Sequence, residues 1–309
     1  MGNFDDIPIL NDQEYDFEQE FSNLQKSVRL FRANAFEDGI DCIIEGAFKG
    51  TPCAFADKVA FRPAEVTLWG GINGHGKSLI TGQVALQLVS AKQTCAIMSF
   101  EMSPARTLHR MLRQSVGHKP VIEDVMPWLL RVSPHLVLLD HVGCISKDQL
   151  LGAIAVSQRD FGAKHIFVDN LMKVVSGDDD YNSQKNFVQS LCEIAHDLGV
   201  HIHLIHHVRK GGSESDQIDK FSFKGTTSIV DQVDNAILIQ RNRTKELSRQ
   251  KGELTLSEDE ATGDSLLKIV KQRNGDWEGE VPLWFDPEST AFCTSVNRRP
   301  LLSIPNAWV

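Results

Sequence analysis

Residues 71–78 read Gly71-Ile72-Asn73-Gly74-His75-Gly76-Lys77-Ser78, which fits the phosphate-loop pattern G-x-x-x-x-G-K-[ST]. The glycines let the backbone curl against an anion with no Cβ in the way. Lys77 is placed to reach β- and γ-phosphates, and Ser78 to hold Mg²⁺. The flanks agree with the letters. An apolar run at 66–69 precedes the loop and a helix-like stretch at 79–88 follows it. A strand feeding such a loop into a helix gathers backbone N–H groups at the positive end of the helix dipole. The chain is therefore expected to bind ATP or another nucleoside triphosphate through Gly71, Asn73, Gly74, His75, Gly76, Lys77, Ser78 and Leu79.

Hydrolysis needs further groups at neighbouring strand ends. The run 95–100 ends in Glu101, a carboxylate that can polarise an attacking water or merely open the next helix at Ser103-Pro104. Two other apolar runs end in Asp140 and Asp169, and either can be the metal-side carboxylate. Periodicity alone does not choose between them. The run 201–205 leads into His206-His207, a polar group placed to sense a γ-phosphate. Its histidines lack the spacing and cysteines of a zinc site. Residues 209–227 are Gly-rich and polar, with Arg209, Lys210, Lys220 and Lys224 diluted by Glu214, Asp216 and Asp219. They read equally as a solvated loop or a phosphate-backbone contact. Lys271 and Arg273 share one face of an alternating strand before the turn signal Asn274-Gly275. They lie so far along the chain from the loop that the phosphate they reach is expected to belong to another subunit.

These groups need a scaffold, and the alternation supplies one. Strands are expected at 65–69, 94–99, 136–139, 165–168, 201–205, 235–240 and 265–271, with helices near 79–91, 104–116, 147–160 and 183–198. That order predicts an α/β domain over 41–295 with a mainly parallel sheet flanked by helices. Residues 1–40 form an acidic extension and 296–309 a tail. In the extension Phe17, Phe21, Leu24, Val28 and Phe31 make one apolar stripe on a helix of about 14–34. The stripe packs on its own domain or docks on a neighbouring subunit.

At 41% hydrophobic and 24% charged, the chain reads as globular. It has no run of 18 apolar residues, and MGNFDDIPIL lacks a basic n-region, so neither a membrane span nor a secretion signal is expected. Six scattered cysteines with no C-x-x-C pair indicate a reducing setting, cytoplasmic or mitochondrial-matrix. The net charge of −9 argues against a protein coated by nucleic acid, though not against contact through a few loops.

Ser99-Phe100-Glu101-Met102-Ser103, Phe167-Val168-Asp169-Asn170-Leu171-Met172 and Lys271-Gln272-Arg273-Asn274-Gly275 together resemble the RecA-like motor domain of DnaB-type replicative helicases and of phage and Twinkle-like primase–helicases. The resemblance covers about residues 40–290 and implies a RecA-like P-loop fold. It makes Glu101 the catalytic carboxylate, Asp169 rather than Asp140 the metal partner, and His207 the γ-phosphate sensor. Lys271 and Arg273 become the cations offered to the next subunit's ATP, and Arg241 lies near the nucleotide. The 209–227 loop would meet single-stranded DNA. It further implies a homo-oligomer, a hexameric ring moving 5′→3′, with primase or polymerase as a separate chain. A recombinase-like strand-loading ATPase and a regulatory ATPase acting on proteins are the alternatives, the latter favoured by the acidic balance.

Overall fold

The computed structural model describes residues 16–22, 49–174, 181–208 and 227–296, with the single residues 40 and 44. Among these, nine strands form one sheet in the order β11-β10-β9-β8-β3-β7-β6-β4-β5. The parallel part comprises β3 (Val66–Gly71), β4 (Cys95–Ser99), β5 (Leu136–Leu138), β6 (His165–Asp169), β7 (His201–His207) and β8 (Asn235–Arg241). Strand β3 is buried along its whole length, as a strand covered on both faces must be. Its alternate residues serve two cores: Val66 and Leu68 face one, Trp69 the other. A short hairpin of β1 (Thr51–Cys53) and β2 (Ala56–Phe61) adds Phe61 to the second core.

The helices between these strands cover both faces. Helix α2 (Lys77–Ser90) brings Ile80, Val84 and Leu88 to the Trp69 side. Helices α5 (Lys147–Phe161) and α6 (Tyr181–Leu198) bring Leu150, Ile154, Val188 and Leu191 to the other. Helix α5 starts at a reciprocal Ser146–Gln149 capping box and stops at Gly162. Helix α3 (Pro104–Val116) starts with proline in its first turn and stops at Gly117, whose φ is 79°.

Four features differ from the expectation or extend it. Strand β9 (Ser265–Gln272) runs antiparallel to β8, and β10 (Gly279–Asp286) and β11 (Ala291–Cys293) continue the sheet beyond it. The Asn274-Gly275 signal marks a real hairpin, but its connection runs over residues 273–278 instead of a two-residue turn. Helix α4 (Ile122–Val132) is hidden in the sequence by Pro127 in its interior. In the N-terminal stripe, Phe17 and Phe21 on α1 (Phe17–Ser22) pack on the chain's own core beside α5. Gly152 permits this approach, since a Cβ there would sit 1.9 Å from the Phe17 carbonyl oxygen. Arg159 on α5 pairs with Glu20. Leu24, Val28 and Phe31 lie outside the described residues.

On β6 and β7, beside β3, lies a ladder of three buried imidazoles, His165 (4% exposed), His201 (1%) and His203 (0%). His203 stacks on Phe167 at 4.1 Å, accepts from the Trp69 indole at 3.3 Å and meets His165 at 3.3 Å. His201 bonds Thr67 at 2.9 Å and the Arg62 carbonyl at 2.6 Å. Burial, with the neighbouring rings adding, pushes the pKa of His165 and His203 well below the usual imidazole range. Burial pushes that of His201 down to about 4. A depressed folded-state value means the unfolded chain takes up these protons first as pH falls. Stability is therefore whole above about pH 6.5 and falls below it, by up to about 1.4 kcal/mol per pH unit for each ring. Urea titrations from pH 7 to pH 5 should show this slope, and His201→Gln should flatten it by about one proton. An unchanged slope in that variant would remove the ladder as the cause.

Candidate nucleotide site

The 71–78 loop is built at the carboxyl end of β3. Gly74 and Gly76 have φ of 82° and 92°, conformations open to glycine. A Cβ on Gly76 would also meet the Phe292 ring at 2.7 Å. The Leu79 and Ile80 N–H groups donate to the Gly76 carbonyl, which turns the loop into α2. Lys77 folds back and its Nζ donates to the carbonyls of Gly71 (2.8 Å) and Ile72 (3.2 Å). Burial lowers its pKa to about 8 against the opposing pull of Asp169 and Glu101. His75 is buried, and its Nδ1 accepts the Arg241 N–H at 3.2 Å.

Opposite the loop stand the ends of β4, β6 and β7. The Ser78 hydroxyl donates to Asp169 Oδ2 at 2.8 Å. Strand β7 separates β6 from β3, so Asp169 ends a strand two places from the one that feeds the loop. The contact is possible because α2 starts past the loop and brings Ser78 over to β6. Asp140 follows the edge strand β5 and is exposed. Burial raises the Asp169 pKa, and Glu101 adds to this. The Ser78 hydrogen bond, Lys77 and Arg110 oppose it. An all-oxygen pair of hydroxyl and half-buried carboxylate suits a hard divalent cation.

Asn170 ties the wall together. Its Oδ1 accepts from the Met172 N–H at 3.0 Å, which fixes the amide's orientation. Its Nδ2 then donates to Glu101 Oε1 and to His207 Nε2, the latter at 2.9 Å. His207 Nε2 lies 3.8 Å from Glu101 Oε1. The structure thus brings Asn73, Gly74, Lys77, Ser78, Glu101, Asp169 and His207 around one open cleft of about 350 Å³. Two members of this wall escape sequence reasoning. Arg110 from α3 lines the same cleft, its pKa lowered by burial and held up by Asp169. Asn170 had only its place after Asp169 to mark it.

A second hollow of about 350 Å³ adjoins the loop, bounded by His75, Leu79, Arg241, Phe285 and Phe292. Arg241 pairs there with Glu246. The far wall is held firmly. Gln83 exchanges two hydrogen bonds with the Phe292 backbone, at 2.7 and 3.0 Å. Arg113 donates to the carbonyls of Glu288 (2.8 Å) and Pro287 (2.9 Å). Aromatic walls with a few polar groups beside a phosphate loop suit a nucleobase. Phe285 and Phe292 lie about 200 residues from the loop, and no local signal marks them.

Lys271 and Arg273 are elsewhere. Because β9 is antiparallel to β8, its carboxyl end lies level with the start of β3. The run from Val66 to Gly71 spans about 17 Å at the usual strand rise. Lys271 Nζ donates to the carbonyls of Val230 (2.8 Å), Asp231 (2.9 Å) and Val233 (2.7 Å), around the end of α7 (Thr227–Gln232). Arg273 pairs with Asp234 at 2.9 Å, and its side chain is 50% exposed. Arg209, Lys210, Lys220 and Lys224 lie outside the described residues.

A family described as AAA domain matches residues 59–213, half of the chain and the half that holds the loop, Glu101, Asp169 and His207. The chain belongs to the AAA domain family. No curated protein matches it in sequence. Solved structures share the AAA domain chain's fold, two of them as follows. One is an ATPase domain, 14% identical, with a TM-score of 0.70 over 84% of this chain and 99% of its own. The other is a DnaB-like replicative helicase, determined together with its interactions with primase. It is 14% identical, with a TM-score of 0.68 over 86% of this chain and 67% of its own. At this identity the likeness is one of fold, that of RecA-like P-loop ATPase domains. Among the described residues of this AAA domain protein, no helix is long and apolar enough to cross a membrane.

Proposed function

We propose that the chain is one subunit of a ring-forming replicative DNA helicase. It moves 5′→3′ along single-stranded DNA, driven by ATP hydrolysis at subunit interfaces. One observation carries this reading: the loop and the Lys271/Arg273 pair stand at opposite ends of one sheet, so a cleft is completed by another copy's pair. In this reading Gly71–Ser78 and Arg110 hold the phosphates, and the hollow beside Arg241 and Phe292 takes the base. Ser78 and Asp169 would hold Mg²⁺, which would supply positive charge to offset that of the phosphates. Glu101 takes the proton of the attacking water as its oxygen bonds the γ-phosphorus and the bond to ADP breaks. Asn170 keeps Glu101 and His207 in register, so loss of the γ-phosphate at His207 is felt at the carboxylate. Arg273 and Lys271 offset the charge of the transition state from the neighbour. The 209–227 loops, with Arg209, Lys210, Lys220 and Lys224, grip the DNA backbone. The interaction with primase described for the DnaB-like neighbour supports a separate primase as a partner.

Single-stranded DNA should raise the ATPase rate, and ATP should shift the particle mass to that of a ring. DNA affinity should fall with salt, with a log–log slope of about −0.7 for each phosphate contacted. An ATPase indifferent to DNA, together with no salt-dependent DNA binding, would leave the helicase reading without support.

A further inference from the structure

We propose that Asp234 is the positioning residue that presents Arg273 to a neighbouring copy's triphosphate. This rests on the reading that Arg273 acts in trans. Asp234 stands where three elements meet. Its Oδ1 accepts from Arg273 Nη1 at 2.9 Å, while its Oδ2 accepts from the buried Val66 N–H at 2.9 Å. Its own N–H donates to the Val66 carbonyl at 3.0 Å, and its carbonyl accepts the Arg273 N–H at 2.8 Å. One residue thus binds the first residue of the phosphate-loop strand and both the main chain and side chain of Arg273.

The arginine geometry follows from this. A guanidinium has five donors in a rigid planar fork. Nη1 is fixed by Asp234, and Nη2 leans on the carbonyls of Asp231 and Gln232, each at 3.3 Å. These bonds seat one edge of the fork on 231–234, and the side chain is half exposed. The next residue is fixed too. Asn274 Nδ2 donates to Glu65 Oε1 at 2.7 Å, and Glu65 Oε2 accepts from Asn235 at 3.0 Å. Two acidic side chains, Glu65 just before β3 and Asp234 just before β8, therefore hold the Arg273-Asn274 tip. An arginine fixed this way is already aimed when a neighbour arrives and loses little rotamer freedom on contact.

Asp234→Asn tests this in the full chain. The amide oxygen still accepts from Val66, but the carboxylate facing Arg273 is gone. Turnover should fall by about 10²-fold, the usual cost of a group misplaced by about 1 Å, with KM for ATP unchanged because the subunit's own loop is intact. Mixing with Lys77→Ala subunits, which keep a sound Arg273, should restore hydrolysis. Mixing with Arg273→Ala subunits should not. Adding Asp234→Asn to Arg273→Ala should cost nothing more. Wild-type turnover in Asp234→Asn would overturn the proposal. So would a loss that Lys77→Ala subunits fail to restore while they do restore Arg273→Ala. Failure to rescue Arg273→Ala itself would instead overturn the trans reading, and this proposal with it.

Discussion

Arg273→Ala is expected to lower ATP hydrolysis by about 10³–10⁵-fold, the range seen when an arginine serving a phosphoryl transition state is removed. The fold should hardly notice. Arg273 is half exposed, and its buried partner Asp234 keeps the Val66 N–H as a donor when the guanidinium is gone. ATP binding should also persist, because Lys77, Ser78 and Arg110 in the variant's own cleft are untouched. The decisive measurement is a mixture. Arg273→Ala subunits keep a sound loop and lack the cation, whereas Lys77→Ala subunits have the reverse. Where the first kind's cleft meets the second kind's arginine, a whole site forms and hydrolysis returns. Two inactive preparations that stay inactive at every mixing ratio would mean that the arginine does not serve a neighbour.

The second large effect belongs to Glu101. Glu101→Gln keeps the side chain's size and still accepts from Asn170 Nδ2, so the wall should stay in place. It removes the only function the carboxylate has in the proposed reaction, taking a proton from water. Hydrolysis should drop by about 10²–10⁴-fold, with ATP affinity kept within a few-fold. Single-turnover hydrolysis beside equilibrium binding separates these terms. Loss of affinity in step with rate would make Glu101 a binding group.

The legible parts of the site are those set by local pattern. Glycine spacing announces the loop, since few other residues tolerate the backbone at Gly74 and Gly76. Glu101, Asp169 and His207 each follow an apolar run, and a polar residue at a strand's carboxyl end is visible in a sequence. The choice of Asp169 over Asp140 is different in kind. It needs the strand order, because both runs look alike until one lies under Ser78 and the other at the sheet's edge. Arg110 is hidden for a related reason. It is one of three arginines on α3, with Arg106 and Arg113, and only the helix's packing aims it at the cleft. Phe285 and Phe292 depend on antiparallel pairing at the end of the sheet, a contact between distant segments that no window of sequence contains. The N-terminal stripe is an intermediate case: periodicity reveals the helix, but Gly152 decides where its described turn lies.

The placement of the loop and Arg273 at opposite ends of β3 has a consequence in simple counting. If each cleft is served by the next copy, a lone molecule has no complete site. An open row of n copies has n − 1, because the last cleft faces solvent, while a closed ring has n. The contact is head-to-tail, the kind that either closes by rotation or grows without limit. Specific activity then becomes a gauge of assembly. It should rise from nothing with concentration, approach its ceiling as rows lengthen, and reach it when the two ends of a row meet.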